Sequence, residues 1–388
     1  MIIPICTLLI LMCLILSISQ KQHAYVLILA AYPLLILLCK TTNLVDFTIL
    51  SAFLNMTFVG LLYFKKNRRL ASEIKFKILF SSLFYFCFLS AGIALSLQSV
   101  GTTELSIIAA QPQAKLALSF IWIAALLWIG SVPFLSTHVD ILDAAPSFSS
   151  VLFLGTVLIS GGRFMSILAE SNLDPKLFKI LAFFAGASLL IPPILGLDQK
   201  RISRMLAYLL MTQSGLLLLL VLFKIPVLPV FYFHAVIAIP GALTGIRFWK
   251  HRQNSDKNWE DFSGAGRKHP FVSVSWLFIL SSFAGIPPSL GFWLYGELAQ
   301  KAVHTEAYWV LPLVIIAIVV SMIPIVRLGV FMFAKPIRHE LLQRHQPRQG
   351  FLIIACALLI FSTKIICLAL PNSHELQNFM LQFFHLWL

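Results

Sequence analysis

Charged residues are scarce in this chain. Asp, Glu, Lys and Arg make up only 11% of its 388 residues, whereas 59% of the residues are hydrophobic. Soluble domains carry about 25% charged residues, so this composition excludes an ordinary water-soluble protein. Acidic residues are the scarcer kind, with 15 Asp and Glu against 29 Lys and Arg and a formal net charge of +14. The composition therefore predicts an integral membrane protein.

Motifs that hold cofactors or metals are also missing. The sequence has no Gly-rich phosphate loop, no His/Cys cluster and no paired carboxylates. We therefore expect no cofactor, no metal and no catalytic redox centre in this chain. The six cysteines have no C-x-x-C spacing and are interpreted as small core residues. They are Cys6, Cys13, Cys39, Cys87, Cys356 and Cys367.

Apolar runs of bilayer-spanning length occur from one end of the chain to the other. Twelve candidate spans cover residues 3–19, 24–39, 43–64, 78–98, 116–137, 148–168, 179–197, 205–223, 227–247, 272–293, 308–333 and 350–370. The first span is interpreted as a retained helix, because Met1 to Pro4 contain no Lys or Arg. The pattern predicts an all-α polytopic membrane protein with about twelve transmembrane helices.

Basic residues distinguish the two sides of the membrane. Of the 29 Lys and Arg, 20 fall in loops that follow odd-numbered spans and 6 fall in the other loops. Loops rich in Lys and Arg face the cytoplasm, or the matrix in a mitochondrion. Both termini are therefore predicted on the opposite side of a bacterial or mitochondrial inner membrane. The positive charge is explained by this topology, so no nucleic-acid partner is expected.

Two of the apolar segments are interrupted by glycine and proline in a similar way. Residues 122–136 and 276–290 match at Trp122/Trp276 and Pro133/Pro287, an offset of 154 residues. The breaks centre on Gly130 and Pro133 in the first segment and on Gly285, Pro287 and Pro288 in the second. Paired broken helices indicate an internal repeat with a transport site at the breaks. The alternative is two unrelated proline kinks.

Ionisable residues within the spans are few, and such residues are functional candidates by default. His234 is a candidate proton relay or, equally, a neutral histidine bonded to a neighbouring helix. Arg163 and Arg327 either extend towards an interface or pair with an acidic residue. Glu297 and Lys301, near a span end, complete the proton-path candidates.

Four blocks of sequence resemble the antiporter-like membrane subunits of respiratory complex I and of Mrp-type cation/proton antiporters. The most specific block is Ala284 to Trp293, which is similar to the family pattern A-G-I-P-P-x-x-G-F-x-G-K. The others are Pro133-Phe134 with Asp140 and Ala144 to Leu152, Arg204 to Tyr208 with Gln213 to Gly215, and Glu73 to Leu79. They occur in the family's order over about residues 65–300.

The resemblance implies two inverted five-helix repeats. Residues 24–170 would form the first repeat and residues 177–335 the second, which contains a basic loop at 248–270. Residues 1–23 would be an extra N-terminal helix, and residues 336–388 a C-terminal helix and tail. Family members are membrane subunits of larger assemblies and pass protons along buried Glu, Lys and His residues, so we expect the lipid bilayer and other membrane subunits as partners.

The family's charges are mostly missing from this chain. Aligned by the blocks, they fall on Ala52, Trp128, Leu158 or Ile159, and Tyr295. Asn55 or Asp46 are alternatives to Ala52 if the alignment is shifted by a turn. The resulting expectation is an antiporter-like subunit of a complex I-like NADH:quinone oxidoreductase with reduced conduction and a structural role. The alternatives are an Mrp-like antiporter and the membrane subunit of an ion-coupled inorganic-carbon uptake module, with a soluble partner docked at residues 248–270.

Overall fold

The computed structural model describes residues 2–17, 23–62, 68–170, 174–249, 259–336 and 347–369. Within these residues the chain forms sixteen α-helices and no β-strand. The helices are α1 (Ile2–Ser17), α2 (His23–Lys40), α3 (Leu44–Leu61), α4 (Arg68–Val100), α5 (Leu105–Ala110), α6 (Lys115–Ile129), α7 (Leu135–Ala144), α8 (Ser147–Glu170), α9 (Pro175–Leu197), α10 (Ile202–Leu222), α11 (Leu228–Phe248), α12 (Ala265–Lys268), α13 (Pro270–Ala284), α14 (Leu290–His304), α15 (Val310–Phe333) and α16 (Pro347–Ala369). Short 3₁₀ turns cover Pro112–Ala114 and Trp259–Phe262.

Helix length and composition agree with a membrane protein. Among the described residues, eight helices are long and apolar enough to cross a bilayer, and four shorter apolar helices accompany them. The prediction of an all-α membrane protein with broken helices is confirmed. The number of twelve spans stays a prediction, and so do the repeat boundaries.

The chain divides into two compact units. Unit 1 comprises Met1–Ser188 and Ser214–Tyr232, and unit 2 comprises Leu189–Gln213 and Phe233–Leu388. In unit 1 the N-terminal helix α1 packs against α2 and α8, and α6 packs against α4. In unit 2 the helix α13 packs against α15 and α16.

Each unit contains one broken helix, and the two breaks are built alike. Gly130 follows α6 with φ 66°, and Gly285 follows α13 with φ 73°. In the first break Ser131 N–H donates to Leu126 O and Gly130 N–H to Leu127 O, which is the Schellman pattern. In the second break Ile286 and Gly285 donate to Ser281 and Ser282 in the same way. Glycine is required because a Cβ disfavours a left-handed backbone.

The offset between the breaks is 155 residues, so the predicted offset of 154 is wrong by one. Helices α6 and α13 each have 15 residues and begin at Lys115 and Pro270, and the helices after the breaks begin at Leu135 and Leu290. The Trp122/Trp276 match in the sequence was therefore not a match of backbone positions. Both breaks contain a cis peptide bond, at Val132–Pro133 and at Pro287–Pro288.

An aromatic ring from the following half-helix occupies the space beside each of these glycines. A Cβ on Gly130 would lie 2.6 Å from Nδ1 of His138, and a Cβ on Gly285 would lie 2.7 Å from Cε2 of Tyr295. Glycine therefore serves two purposes at each break, since it permits the backbone turn and makes room for the ring. These contacts place His138 and Tyr295 at the breaks.

Two segments differ from the sequence prediction. Helix α4 begins at Arg68, ten residues before the predicted span, because a basic stretch continues the helix beyond its apolar part. In the predicted loop 248–270, residues 250–258 lie outside the described residues, whereas the end of the loop is packed. Phe262 is fully buried and stacks on Trp276, and Gly264 N–H donates to Phe331 O at 3.1 Å.

Candidate functional site

At each break, a side chain from another helix bonds a main-chain carbonyl near the helix end. A helix end has carbonyls without intrahelical partners, and Schellman bonds satisfy only some of them. His138 Nε2 lies 3.1 Å from Trp128 O, and Gln213 Nε2 donates to Phe283 O at 3.2 Å. Trp128 and Phe283 occupy the same position, two residues before the break glycine. His138 and Gln213 therefore have a structural role at the breaks, since each bonds a main-chain carbonyl at a helix end.

Around the first break, neutral polar side chains form a buried cluster. Trp128 Nε1 donates to Ser160 Oγ at 3.0 Å, and Ser160 in turn donates to Thr156 O at 2.6 Å. Tyr85 lies with its ring centroid 5.0 Å from that of Trp128. We call Asn55, Tyr85, Trp128, His138 and Ser160 the first-break cluster. Trp128 makes a hydrogen bond that needs no charge.

A small cavity of about 20 Å³ lies within the first-break cluster. Asn55, Ser82, Tyr85, Trp128 and His138 are among its lining residues. Asn55 is buried and lines the cavity, whereas Ala52, one helical turn earlier on α3, does not. Which of the two residues corresponds to the family glutamate stays a prediction. Leu158 is fully buried.

Around the second break, a corresponding cluster contains His234. Its Nε2 lies 2.8 Å from Ser282 Oγ, which also accepts a hydrogen bond from Gly291 N–H at 3.3 Å. Tyr295 is hydrogen bonded to Thr212. We call Thr212, Gln213, His234, Ser282 and Tyr295 the second-break cluster. His234 Nδ1 and Gln213 Oε1 are buried without hydrogen-bond partners in the part of the chain that the structure describes, so this cluster has unused hydrogen-bonding capacity.

The other predicted proton-path residues lie apart from these bonds. Glu297 and Lys301 are half-buried, one turn apart on α14, and within the described ranges no hydrogen bond or ion pair joins either of them to His234. Arg163 is half-buried near Cys39 and Tyr232. Arg327 is exposed and lies over the ring of Trp259, with 4.4 Å from Cζ to the ring centroid.

Ion pairs occur at the edges of unit 1. Lys77 Nζ lies 2.7 Å from both Glu73 Oε1 and Asp140 Oδ2. Lys115 Nζ lies 3.0 Å from Asp174 Oδ2. The main-chain N–H of Lys176, and after it the Lys115 ammonium, hold the pKa of the Asp174 carboxyl below its ordinary value. These ion pairs are partly exposed, and no Asp, Glu, Lys or Arg is fully buried among the residues whose burial the structure describes.

Sequence reasoning missed His138 and Ser282. His138 lies in a short amphipathic stretch, eight residues after the break glycine Gly130. This spacing is the feature of the sequence that could have indicated it. Ser282 lies three residues before its glycine, and serine is common in membrane helices. Among the described residues, no group of three or more His, Cys, Asp or Glu is placed to hold a metal.

The broken helices, the buried polar clusters beside them and the apolar helices define an antiporter-like integral membrane subunit. Comparison with protein families agrees with this class. Residues 41–321 match the transmembrane family of NADH:quinone oxidoreductases and Mrp antiporters. The chain belongs to this family, as the sequence predicted.

Individual proteins are similar over most of the chain. NADH-quinone oxidoreductase subunit N 2 of Acidobacterium capsulatum is 28% identical over 329 residues, which are 77% of this chain and 65% of the relative. The chain therefore spans less than two thirds of that relative's length. A chain in the structure of respiratory complex I from Thermus thermophilus with bound aureothin has a TM-score of 0.82 at 22% identity, covering 95% of this chain and 86% of its own. A chain of the Mrp complex from Dietzia sp. DQ12-45-1b has a TM-score of 0.83 at 14% identity, with 94% and 80% covered.

Proposed function

We propose that this chain is a membrane subunit of a proton-translocating, complex I-like NADH:quinone oxidoreductase assembly. The observation that carries the proposal is the match, across both broken helices, to relatives named NADH-quinone oxidoreductase subunit N. The structural likeness to complex I and Mrp chains supports the fold alone. Other membrane subunits would be its partners within the bilayer, and both termini would lie on the non-cytoplasmic side.

Proton conduction through the first repeat is proposed to be reduced, and the role of that repeat to be mainly structural. A chain of proton transfers needs titratable groups or ordered water at hydrogen-bond distance. At the family's charged positions this chain has Trp128 bonded to Ser160 and the buried Leu158. A partial path on the side of the second repeat would use the second-break cluster, with His234 as its ionisable group and Glu297 or Lys301 beyond it.

The assembly is tested by native mass spectrometry of the complex purified through a tag on this chain. Recovery with NADH- or quinone-linked redox subunits is the expected result. Recovery alone or with Mrp-type subunits would replace the proposal by the antiporter function. Recovery with a single soluble zinc-containing partner would replace it by the inorganic-carbon uptake module.

The role of His234 is tested by proton pumping of the assembled complex in proteoliposomes. His234→Ala is expected to lower pumping, because it removes the ionisable group of the second-break cluster. Thr244→Val is the matched control on α11, since Thr244 is equally buried but bonds only to Pro240 O on its own helix. Unchanged pumping in His234→Ala, with normal assembly, would remove the proposed path.

A further inference from the structure

The cavity in the first-break cluster has the size and the lining of a water site. Its volume is about 20 Å³, and a single water needs roughly 10–15 Å³ and two to four polar partners. Asn55 from α3, Ser82 and Tyr85 from α4 and His138 from α7 supply polar groups from three helices. An apolar cavity of this size would stay dry, whereas this lining offers both donors and acceptors.

His138 lines this site and has an unpaired ring nitrogen. The side chain is 4% exposed, and its Nδ1 has no hydrogen-bond partner in the described part of the chain. Because Trp128 O can only accept, Nε2 must carry the ring hydrogen, and neutral Nδ1 is left as an acceptor. A buried acceptor without a donor is unfavourable, and a water in the cavity would supply that donor.

A charged pair lies next to the residues that line the cavity. Lys77 and Asp140 are joined at 2.7 Å and are only partly buried, with 36% and 24% of their side chains exposed. Each is followed in sequence by a lining residue, Ile78 and Ile141 respectively. The pair therefore lies beside the lining of the cavity, at a partly exposed position. The other titratable groups on these packed elements include Glu73, paired with Lys77, and Lys75, Tyr85 and Cys87 on α4, Asp143 on α7 and Asp46 on α3.

We propose that the cavity holds one water bonded to Nδ1 of His138, and that His138 is a proton-accepting group of the first repeat in place of the missing lysines. In the proton transfer, the site water accepts a proton from solvent water as it passes one of its own protons to Nδ1, so the site water stays neutral. The product is an imidazolium whose Nε2–H remains on Trp128 O. A main-chain carbonyl does not carry the proton onward, so His138 takes up and returns its proton through the same water. This role rests on the proposed function, since it is of use only in a proton-translocating assembly.

Solid-state NMR of the full chain in lipid bilayers, with ¹⁵N-labelled histidine, tests the site directly. Magnetisation transfer from water to the His138 ring nitrogens reports hydration, and their chemical shifts report protonation. The signal is assigned by its loss in His138→Gln. Ser82→Leu fills the cavity with an apolar side chain, and Ser90→Leu is the matched control because Ser90 lies on the exposed face of the same helix.

We expect water transfer to His138 in the wild type and in Ser90→Leu, and its loss in Ser82→Leu. Acidification should convert the wild-type ring from one N–H to two. If Ser82→Leu does not fold, Asn55→Leu serves the same purpose. A His138 ring without water transfer in the wild type would overturn the site, and a ring that never becomes doubly protonated would overturn its role. The NMR experiment does not measure proton pumping, so it tests the site independently of the proposed function. A hydrated site in an assembly that does not pump would refute only the proposed function.

Discussion

Replacing Gly130 by alanine tests the packing on which the first-break cluster depends. The backbone there has φ 66°, and the new Cβ would lie 2.6 Å from Nδ1 of His138. A left-handed backbone costs an L-residue about 1–2 kcal/mol, and overpacking a buried site costs about 1–3 kcal/mol more. We therefore expect Gly130→Ala to lower the free energy of unfolding by roughly 2–5 kcal/mol.

Gly101→Ala separates the two contributions. Gly101 has φ 76°, and a Cβ added there would have no neighbouring atom within 4 Å, so only the backbone cost of about 1–2 kcal/mol should appear. Reversible unfolding in mixed micelles would measure both variants, and His138→Ala, alone and combined with Gly130→Ala, would complete a double-mutant cycle. Equal losses for the two glycines, with no coupling to His138, would refute the inferred contact between the ring and Gly130.

Two of the three further predictions use matched pairs. Gly291→Ala should destabilise the protein by about 1–3 kcal/mol or more, because its Cβ would lie 2.8 Å from the carbonyl carbon of Ser282. Gly296→Ala should be neutral or stabilising, because a Cβ there would have no atom within 4 Å. Thermal unfolding of the purified protein compares the two variants. Trp128→Phe should cost about 0.5–1.5 kcal/mol more than Trp122→Phe in the same unfolding assay. The reason is that Nε1 of Trp128 bonds to Ser160, whereas Nε1 of Trp122 has no hydrogen-bond partner among the described residues. Equal costs would contradict the bond to Ser160. Lys115→Met should raise the pKa of Asp174 only part of the way to its ordinary value, since the main-chain N–H of Lys176 remains. Carboxyl NMR titration measures this pKa. Because the pKa of Asp174 is lower in the folded state, the stabilisation that this carboxylate gives the fold is present above the ordinary pKa of about 3.9 and is lost as pH falls through the folded value.

Proline alone did not identify the breaks. Pro33, Pro192, Pro193, Pro240 and Pro324 lie inside continuous helices. The two breaks differ because a glycine with positive φ ends the helix two or three residues before the first proline. The combination of glycine and proline was readable from the sequence, and this is why the breaks were predicted. The offset was wrong because it was based on matching side chains, while the turn depends on the glycine.

The polar clusters were less predictable than the breaks. Ala52 and Asn55 differ by one turn of α3, and no local property of the sequence decides which of them lines the cavity. His138 reaches Trp128 O only because the chain reverses within the break and sets α7 beside the end of α6. Arg327 lies over Trp259, whose position in the chain is 68 residues away, so no spacing rule could have paired them.

The sequence by itself determined the class of protein, its membrane location, its family and the places where two helices break. These follow from hydropathy, charge and glycine content, which act on each segment separately. Only the tertiary structure decided which polar groups meet. His138 with Trp128 O, Trp128 with Ser160 and His234 with Ser282 are contacts between separate helices, and their geometry depends on how whole helices pack together.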